Sequence, residues 1–268
     1  KKLKVFRFPL SVFRLFFVSL LQLSNKSQQK HKIMVILVLN CGSSSIKYQV
    51  LDVEAASHKL LAKGIVDRIG LAEGDLVHKP VGKENFHLHQ PIADHTTGIS
   101  LVLEALTDKE HGVIASLDEV KAVGHRVAHG GEFFADSAVV TEEVKEQIRS
   151  LFAIAPLHNP ANLEGILSIE KVLPSVPQVA VFDTSFHQSI PARNYLYALP
   201  MEYYEKYRVR RYGFHGTSHK FVAKRGAELC GLDLANSKII TCHVGNGGSV
   251  TAVLNGKSYC TSMGFSPV

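Results

Sequence analysis

Arg126, Asp183 and His215 each stand where an apolar run ends or a helix is about to begin, positions at which a polar side chain has chemistry to do. Arg126 precedes the turn Ala128-His129-Gly130-Gly131, and a guanidinium there can fork onto a carboxylate or a phosphate; a structural ion pair is the alternative. Asp183 follows Val179-Ala180-Val181-Phe182. A carboxylate at the end of a buried strand in an α/β sheet faces the crevice where ligands bind. Beside phosphates it suits Mg²⁺, held directly or through water; the plainer reading is an Asx-turn or cap made with Thr184 and Ser185. His215 lies in Gly213-Phe214-His215-Gly216-Thr217-Ser218-His219, ahead of a helical stretch, where its N–H could donate to an anion developing charge in a transition state. His219 reads as a residue that orients its neighbours.

Two turns supply a second kind of chemistry. Asn40-Cys41-Gly42-Ser43-Ser44-Ser45-Ile46-Lys47 sits between strand-like runs at 34–39 (MVILVL) and 46–53 (IKYQVLDV). In the second run Ile46, Tyr48 and Val50 share one face, and Lys47, Gln49 and Leu51 the other. Small residues in a tight turn let backbone N–H groups converge on a phosphate. Hydroxyls such as those of Ser43 and Ser45 add donors, and Lys47 adds a point charge; an ordinary polar hairpin is the alternative. The same pattern returns at His243-Val244-Gly245-Asn246-Gly247-Gly248-Ser249, between runs at 238–242 (KIITC) and 250–254 (VTAVL). Asn255-Gly256 then signals a hairpin into 257–260. Two matched loops suggest two related halves, each offering a phosphate-cradling hairpin to a shared cleft.

These residues need a frame, and the chain alternates strands with helices, which argues for an α/β fold. Residues 54–120 read poorly, with short strand-like pieces, turn signals and a helix near 95–106. A strand is expected at 121–127. Thr141 opens a helix with Glu142 and Glu143 in its first turn, favourable to the helix dipole, and Val144, Ile148, Leu151 and Phe152 form its apolar stripe. A helix at 161–172, a strand at 177–182 and a helix at 218–230, stopped by Gly231, complete the frame. The expected division is a lobe at 34–184 and a second at 185–268. The second has too few elements to be complete, which reads as a truncated chain.

Composition limits the partners. The net charge of +6 comes from residues 1–33, which hold eight Lys and Arg and no acid. The rest carries 22 basic against 24 acidic residues, so it shows no bias toward nucleic acid or an anionic membrane. In the leader, Arg14 interrupts an apolar stretch whose longest uncharged piece, 15–23, is too short to span a bilayer. Residues 1–33 read as an upstream extension or mis-called start, with a transit or membrane role as the alternative. Cys41, Cys230, Cys242 and Cys260 form no metal-binding pair. Cys41 and Cys242 are expected as small buried thiols in a reducing compartment. The seven histidines His125, His129, His158, His187, His215, His219 and His243 lack the spacing of a metal motif.

Together the motifs NCGSSSIK, GHRVAHGGE, APLHNP, VFDTSFHQ, YGFHGTSH and HVGNGG resemble, in order and spacing, those of the acetate kinase (acetokinase) family. The resemblance runs from about Met34 to Val268. It implies an actin/Hsp70/sugar-kinase-like (ribonuclease H-like) two-lobe fold with the second lobe truncated. It also implies a cytoplasmic enzyme, a homodimer at full length, that phosphorylates acetate with ATP to give acetyl phosphate and ADP, reversibly, by direct in-line transfer with Mg²⁺ or Mn²⁺. Carried over residue by residue, Asn40 would help hold the metal and Lys47, Ser43 and Ser45 would contact ATP. Arg126 would bind the substrate carboxylate, Asp183 would be catalytic or metal-orienting, and His215 would stabilise the transferring phosphoryl group. His243, Val244, Gly245, Asn246 and Gly247 would line the phosphates, with His158 in support. Ala128 stands where many acetate-preferring members have Val. With Leu157 and Phe214 it would form a wider acyl pocket, making propionate or another short-chain acid the alternative substrate. Further family residues, a second arginine, the adenosine pocket and a metal-binding Glu, would fall beyond Val268. The competing readings are a non-catalytic nucleotide clamp and an inactive remnant.

Overall fold

The run at 34–39 forms the strand expected of it because nearly every residue is apolar, which suits a strand buried on both faces. The computed structural model describes residues 34–54, 57–245 and 247–266; the leader 1–33 and Asn246 lie outside them. Strand β1 (Met34–Cys41) pairs antiparallel with β2 (Ser45–Glu54), which pairs with β3 (Ser57–Asp67). The meander continues through β4 (Gly74–Pro80) to β5 (Phe86–Gln90). On its other side β1 pairs parallel with β6 (Val120–Val127). Strands β7 (Ala138–Val139) and β8 (Gln178–Phe182) complete an eight-stranded sheet of order β5-β4-β3-β2-β1-β6-β8-β7.

Helices α1 (His95–Thr107), α2 (Glu142–Ser150) and α3 (Asn159–Val172) accompany this sheet. Asp94 caps α1 by accepting from the Thr97 N–H at 2.7 Å, and Thr141 caps α2 through the Val144 N–H, as its sequence position predicts. Leu37, Leu39, Ile46, Tyr48 and Val50 pack with Ile99, Val102 and Leu106 of α1 and Ile169 of α3 in one apolar core. Of the expected α2 stripe, Val144, Ile148 and Leu151 are buried and Phe152 is half-buried.

The described residues group into two compact units, one of 34–127 with Ala138–Val181 and one of Ala128–Ser137 with 182–266. The second contains the short helices α4 (Ala192–Tyr195) and α5 (Met201–Tyr207), the longer α6 (Gly216–Cys230), and a three-stranded sheet. That sheet has the order β11-β10-β9 and comprises β9 (Lys238–Val244), β10 (Gly248–Leu254) and β11 (Lys257–Thr261). Asn255 at φ 53° and Gly256 at φ 77° form the left-handed pair that the Asn-Gly signal predicts between β10 and β11. Within this unit, Arg210 ties the 128–137 segment down. It is 4% exposed, donates to Glu132 at 2.8 Å, and lies 3.6 Å over the Tyr195 ring.

One expectation fails here. Cys242 is exposed, because alternation along β9 puts it on the outward face with Ile240 and Val244 while Thr241 points inward. Cys41 is buried as expected, and burial, followed by the charge of Glu164, pushes its thiol up to about 12.

Candidate active site

In the first unit, strand register assembles the polar groups. Asn40 lies opposite Lys47 across β1 and β2, and Leu39 pairs with His125 across β1 and β6. The next residues along these strands are therefore neighbours, and Arg126 Nη1 donates to Asn40 Oδ1 at 3.2 Å. Asn40, Lys47 and Arg126 thus meet at one end of three adjacent strands. Arg126 and Asn40 are half-buried and Lys47 is exposed.

The turn beyond Asn40 is tied from behind. The Gly42 N–H donates to the Ser45 carbonyl at 2.7 Å, so that donor closes the turn rather than facing a ligand. The Gly42 carbonyl accepts from His95 Nε2–H at 2.7 Å, the Cys41 carbonyl from Asn162 Nδ2 at 2.6 Å, and the Ser44 carbonyl from the Ile69 N–H at 3.0 Å. Ser43 and Ser44 remain exposed and Ser45 half-buried. His158, half-buried, is the N-cap of α3 without a side-chain cap bond. Leu157 is 79% exposed.

The second unit carries a cluster of imidazoles around α6 and β9–β10. Asp183, 5% exposed, ends the β8 run, and its carbonyl accepts from the Gly216 N–H at 2.8 Å. A Cβ at Gly216 would lie 2.4 Å from that oxygen, so only glycine lets the start of α6 come this close to Asp183. His215, the α6 N-cap, has φ 57° and ψ 22°, a left-handed conformation that a residue with a Cβ adopts at some cost. Such strain at a candidate site is consistent with a role for the ring it aims.

The rings are held by hydroxyls. His215 Nδ1 is 2.8 Å from Ser249 Oγ, and the same oxygen is 2.7 Å from His219 Nε2. His219 Nδ1 is 2.7 Å from Thr241 Oγ1. His243 Nδ1 meets Ser218 Oγ at 2.9 Å, and its ring stacks on that of His215 at 3.9 Å. His187 Nε2 donates to the Phe214 carbonyl at 2.9 Å, and its Nδ1 accepts from Ser258 at 2.8 Å. Burial brings His219 down to about 3, with the nearby rings of His187, His215 and His243 adding to it. His187 is lowered to about 4 by burial, against the pull of the Phe214 carbonyl and Asp183. Both are neutral imidazoles at physiological pH.

The second Gly-rich turn lies alongside. The Gly245 N–H donates to the Gly247 carbonyl at 3.1 Å, and a Cβ at Gly247 would stand 3.5 Å from His215 Cε1 and 3.7 Å from Nε2. Val244 and Gly245 are exposed. Ala128 and Phe214 are both buried in this unit. His129 accepts from the Gly131 N–H at 3.0 Å and packs edge-on against Tyr212 and Phe214, which fixes the Gly-Gly turn. Sequence reasoning missed the hydroxyl partners Ser249, Thr241, Ser218 and Ser258. The alternation of Ser249, Thr251 and Val253 along β10 was the available signal, since all three are buried.

A sequence profile described as the Acetokinase family matches residues 35–268. The chain is 55% identical over 235 residues to an acetate kinase of Caldanaerobacter subterraneus subsp. tengcongensis, covering 88% of this chain and 58% of that protein. An acetate kinase of Thermoanaerobacter pseudethanolicus is 53% identical over the same shares. The crystal structure of Porphyromonas gingivalis acetate kinase superposes with TM-score 0.83 at 45% identity, over 87% of this chain and 58% of that one. A propionate kinase from Francisella tularensis gives TM-score 0.79 at 38% identity, with the same coverage. The chain thus spans about 58% of the length of these relatives.

Proposed function

The chain belongs to the acetokinase family, and we propose that the protein transfers the γ-phosphoryl group of ATP to acetate, giving acetyl phosphate and ADP, reversibly. Its α/β fold is that of the acetate kinases, the actin/Hsp70/sugar-kinase-like fold, over the part the chain covers. The observation that carries the reading is the imidazole cluster of the second unit. A strained His215 stacks on His243 at 3.9 Å beside the Gly247 turn. A clamp that only holds a nucleotide has no use for such a ring together with Arg126.

Phosphoryl transfer asks little covalent work of a protein; positioning and charge neutralisation carry it. Arg126 binds the carboxylate of the acid, oriented by its bond to Asn40. The acid is ionised at neutral pH, with an ordinary pKa of about 4, and needs no base to attack. Asp183 therefore serves geometry and metal orientation rather than proton removal. His215 donates to the transferring group, while His243, Val244, Gly245, Asn246 and Gly247, with Ser43, Ser45 and Lys47, hold the nucleotide phosphates and His158 supports the site. Asn40 would offer a hard oxygen of the kind that Mg²⁺ or Mn²⁺ takes alongside phosphate and water. Among the described residues no group of three His, Cys, Asp or Glu could hold a metal ion. Such an ion, when bound, would supply neutralisation of phosphate charge.

Ala128, buried in the second unit, favours a second substrate reading. A smaller side chain than Val there leaves room for one more methylene, making propionate the alternative. The full enzyme is a cytoplasmic homodimer without nucleic-acid or membrane partners on this reading. The near-neutral charge outside the leader supports the absence of a nucleic-acid partner. The test is acyl-phosphate formation from MgATP, trapped with hydroxylamine, with acetate and propionate in parallel and the protein at its natural length. Turnover is expected with both. A folded, nucleotide-binding protein that forms no acyl phosphate would refute the kinase and leave the clamp.

A further inference from the structure

Ser249 has one hydroxyl hydrogen and two imidazole partners, His215 Nδ1 at 2.8 Å and His219 Nε2 at 2.7 Å. It is buried, and its hydroxyl can donate to one ring only. If both rings donated to Ser249, its own hydrogen would be left in the interior without an acceptor, which is costly. If both rings accepted, one contact would be two facing lone pairs. The hydroxyl therefore donates to one ring and accepts from the other. For two neutral imidazoles only two patterns satisfy this: both rings carry their proton on Nε2, or both carry it on Nδ1.

The ends of the chain favour the first. With Nε2–H on both rings, Thr241 donates to His219 Nδ1 at 2.7 Å, His219 Nε2–H donates to Ser249, and Ser249 donates to His215 Nδ1. Every hydrogen runs in one direction through short contacts. In the reverse pattern the Thr241 hydroxyl must end on the Thr251 carbonyl at 3.4 Å, the outer limit of a hydrogen bond. The first pattern also places the N–H of His215 on the Nε2 edge, which faces the Gly247 turn.

We infer that Thr241, His219 and Ser249 form a tautomer relay that holds His215 as a neutral Nε2–H donor toward the phosphoryl oxygens. This rests on the phosphotransferase reading for its purpose and on the hydrogen-bond geometry for its existence. Ser249 and His219 are positioning residues that act through His215. The depressed basicity of His219 agrees with a relay that keeps its neutral form throughout the working range.

Nitrogen NMR of ring-labelled histidines at pH 7.5 decides the matter, because protonated and bare ring nitrogens resonate far apart. His215 and His219 are expected to show the same tautomer, with Nδ1 bare and Nε2 protonated. Opposite tautomers, or a proton on His215 Nδ1, overturn the relay. Ser249→Ala should release His215 into a mixture, and Ser249→Thr, which keeps the hydroxyl, should restore the single form. A wild-type pattern that persists in Ser249→Ala also overturns it, and should that variant not fold, the wild-type spectrum alone is decisive. In the full enzyme Ser249→Ala should lower kcat, by up to the roughly 10²-fold that loss of one transition-state donor costs, with a smaller change in KM for ATP. Shared Nε2–H tautomers without acyl-phosphate formation would remove the kinase reading and leave the relay standing. Turnover with opposite tautomers would remove the relay alone.

Discussion

Acid should unfold this protein sooner than its carboxylates require, because burial also lowers the pKa of several imidazoles, four of them strongly. Burial is the leading cause in each case. His125 falls to about 4 despite Gln178, and His129 to about 4 despite a bond to the Phe265 backbone, with Arg210 adding to the depression. His187 falls to about 4 and His219 to about 3. A histidine whose folded pKa lies below its unfolded value near 6.5 contributes stability that is full above 6.5. That stability is lost as pH falls toward the folded pKa, because the unfolded chain binds the proton first. From pH 7.5 to 5.5 each ring then costs about 1.3 kcal/mol, so the four together cost about 5 kcal/mol. That is comparable with the whole stability of many domains, about 5–15 kcal/mol. Urea unfolding at pH 7.5, 6.5 and 5.5 measures it. With a slope of about 3 kcal/mol per M, the midpoint should drop by more than about 1 M. His219→Gln should reduce the pH dependence by about a quarter, whatever it does to absolute stability. A midpoint that stays level from pH 7.5 to 5.5 would refute the reasoning, because it would mean that these rings bind protons in the fold as readily as in the open chain.

Three further outcomes follow from single contacts. Gly216→Ala, whose Cβ would lie 2.4 Å from the Asp183 carbonyl, should destabilise the fold by about 1–3 kcal/mol in thermal unfolding. Asp183→Asn should keep the fold by circular dichroism and cut kcat strongly in the hydroxylamine assay; a near-normal rate removes Asp183 from the mechanism. Glu132→Ala leaves the buried Arg210 without its carboxylate and should cost about 3–5 kcal/mol in urea unfolding, with a loss below about 1 kcal/mol showing that the pair is solvated.

The sequence is legible where local pattern and tertiary outcome agree. The run MVILVL, the Thr141 cap, the Gly231 stop and the Asn255-Gly256 turn each carry a signal that depends on few neighbours, and each element forms within a residue or two of its expected place. Strands β3 to β5 were obscure because their burial is set by partners. Ser57–Asp67 is exposed or half-buried along most of its length, and its pairing with β2 slips at Val50/Leu51. The histidines were visible as a cluster but not as a network. His187, His215, His219 and His243 are each held by a hydroxyl or carbonyl that reaches them from another element, as Ser249 of β10 reaches His215 and His219, and residue spacing carries no record of such a partner.

The two hairpins share a pattern of apolar strand, small-residue turn and alternating strand, yet they are made rigid by different means. Around the first turn, backbone carbonyls are held: His95 of α1 takes that of Gly42, and Asn162 of α3 takes that of Cys41. Both donors come from helices packed in the same unit, so the turn is fixed from behind while Ser43 and Ser44 stay exposed. At the second turn the support comes from rings. His243, next to last in β9, binds Ser218 of α6 and stacks on His215, while Ser249, second in β10, binds two imidazoles. A loop that must approach a phosphate closely cannot spend bulk on its outer side, so its order has to be supplied by side chains reaching in from neighbouring elements. Glycine and serine in these turns are then only half of the requirement. The other half is the set of His95, Asn162, His215 and His243, and if these turns hold phosphate as proposed, it is this set, more than the Gly-rich turns themselves, that sets them apart from ordinary polar hairpins.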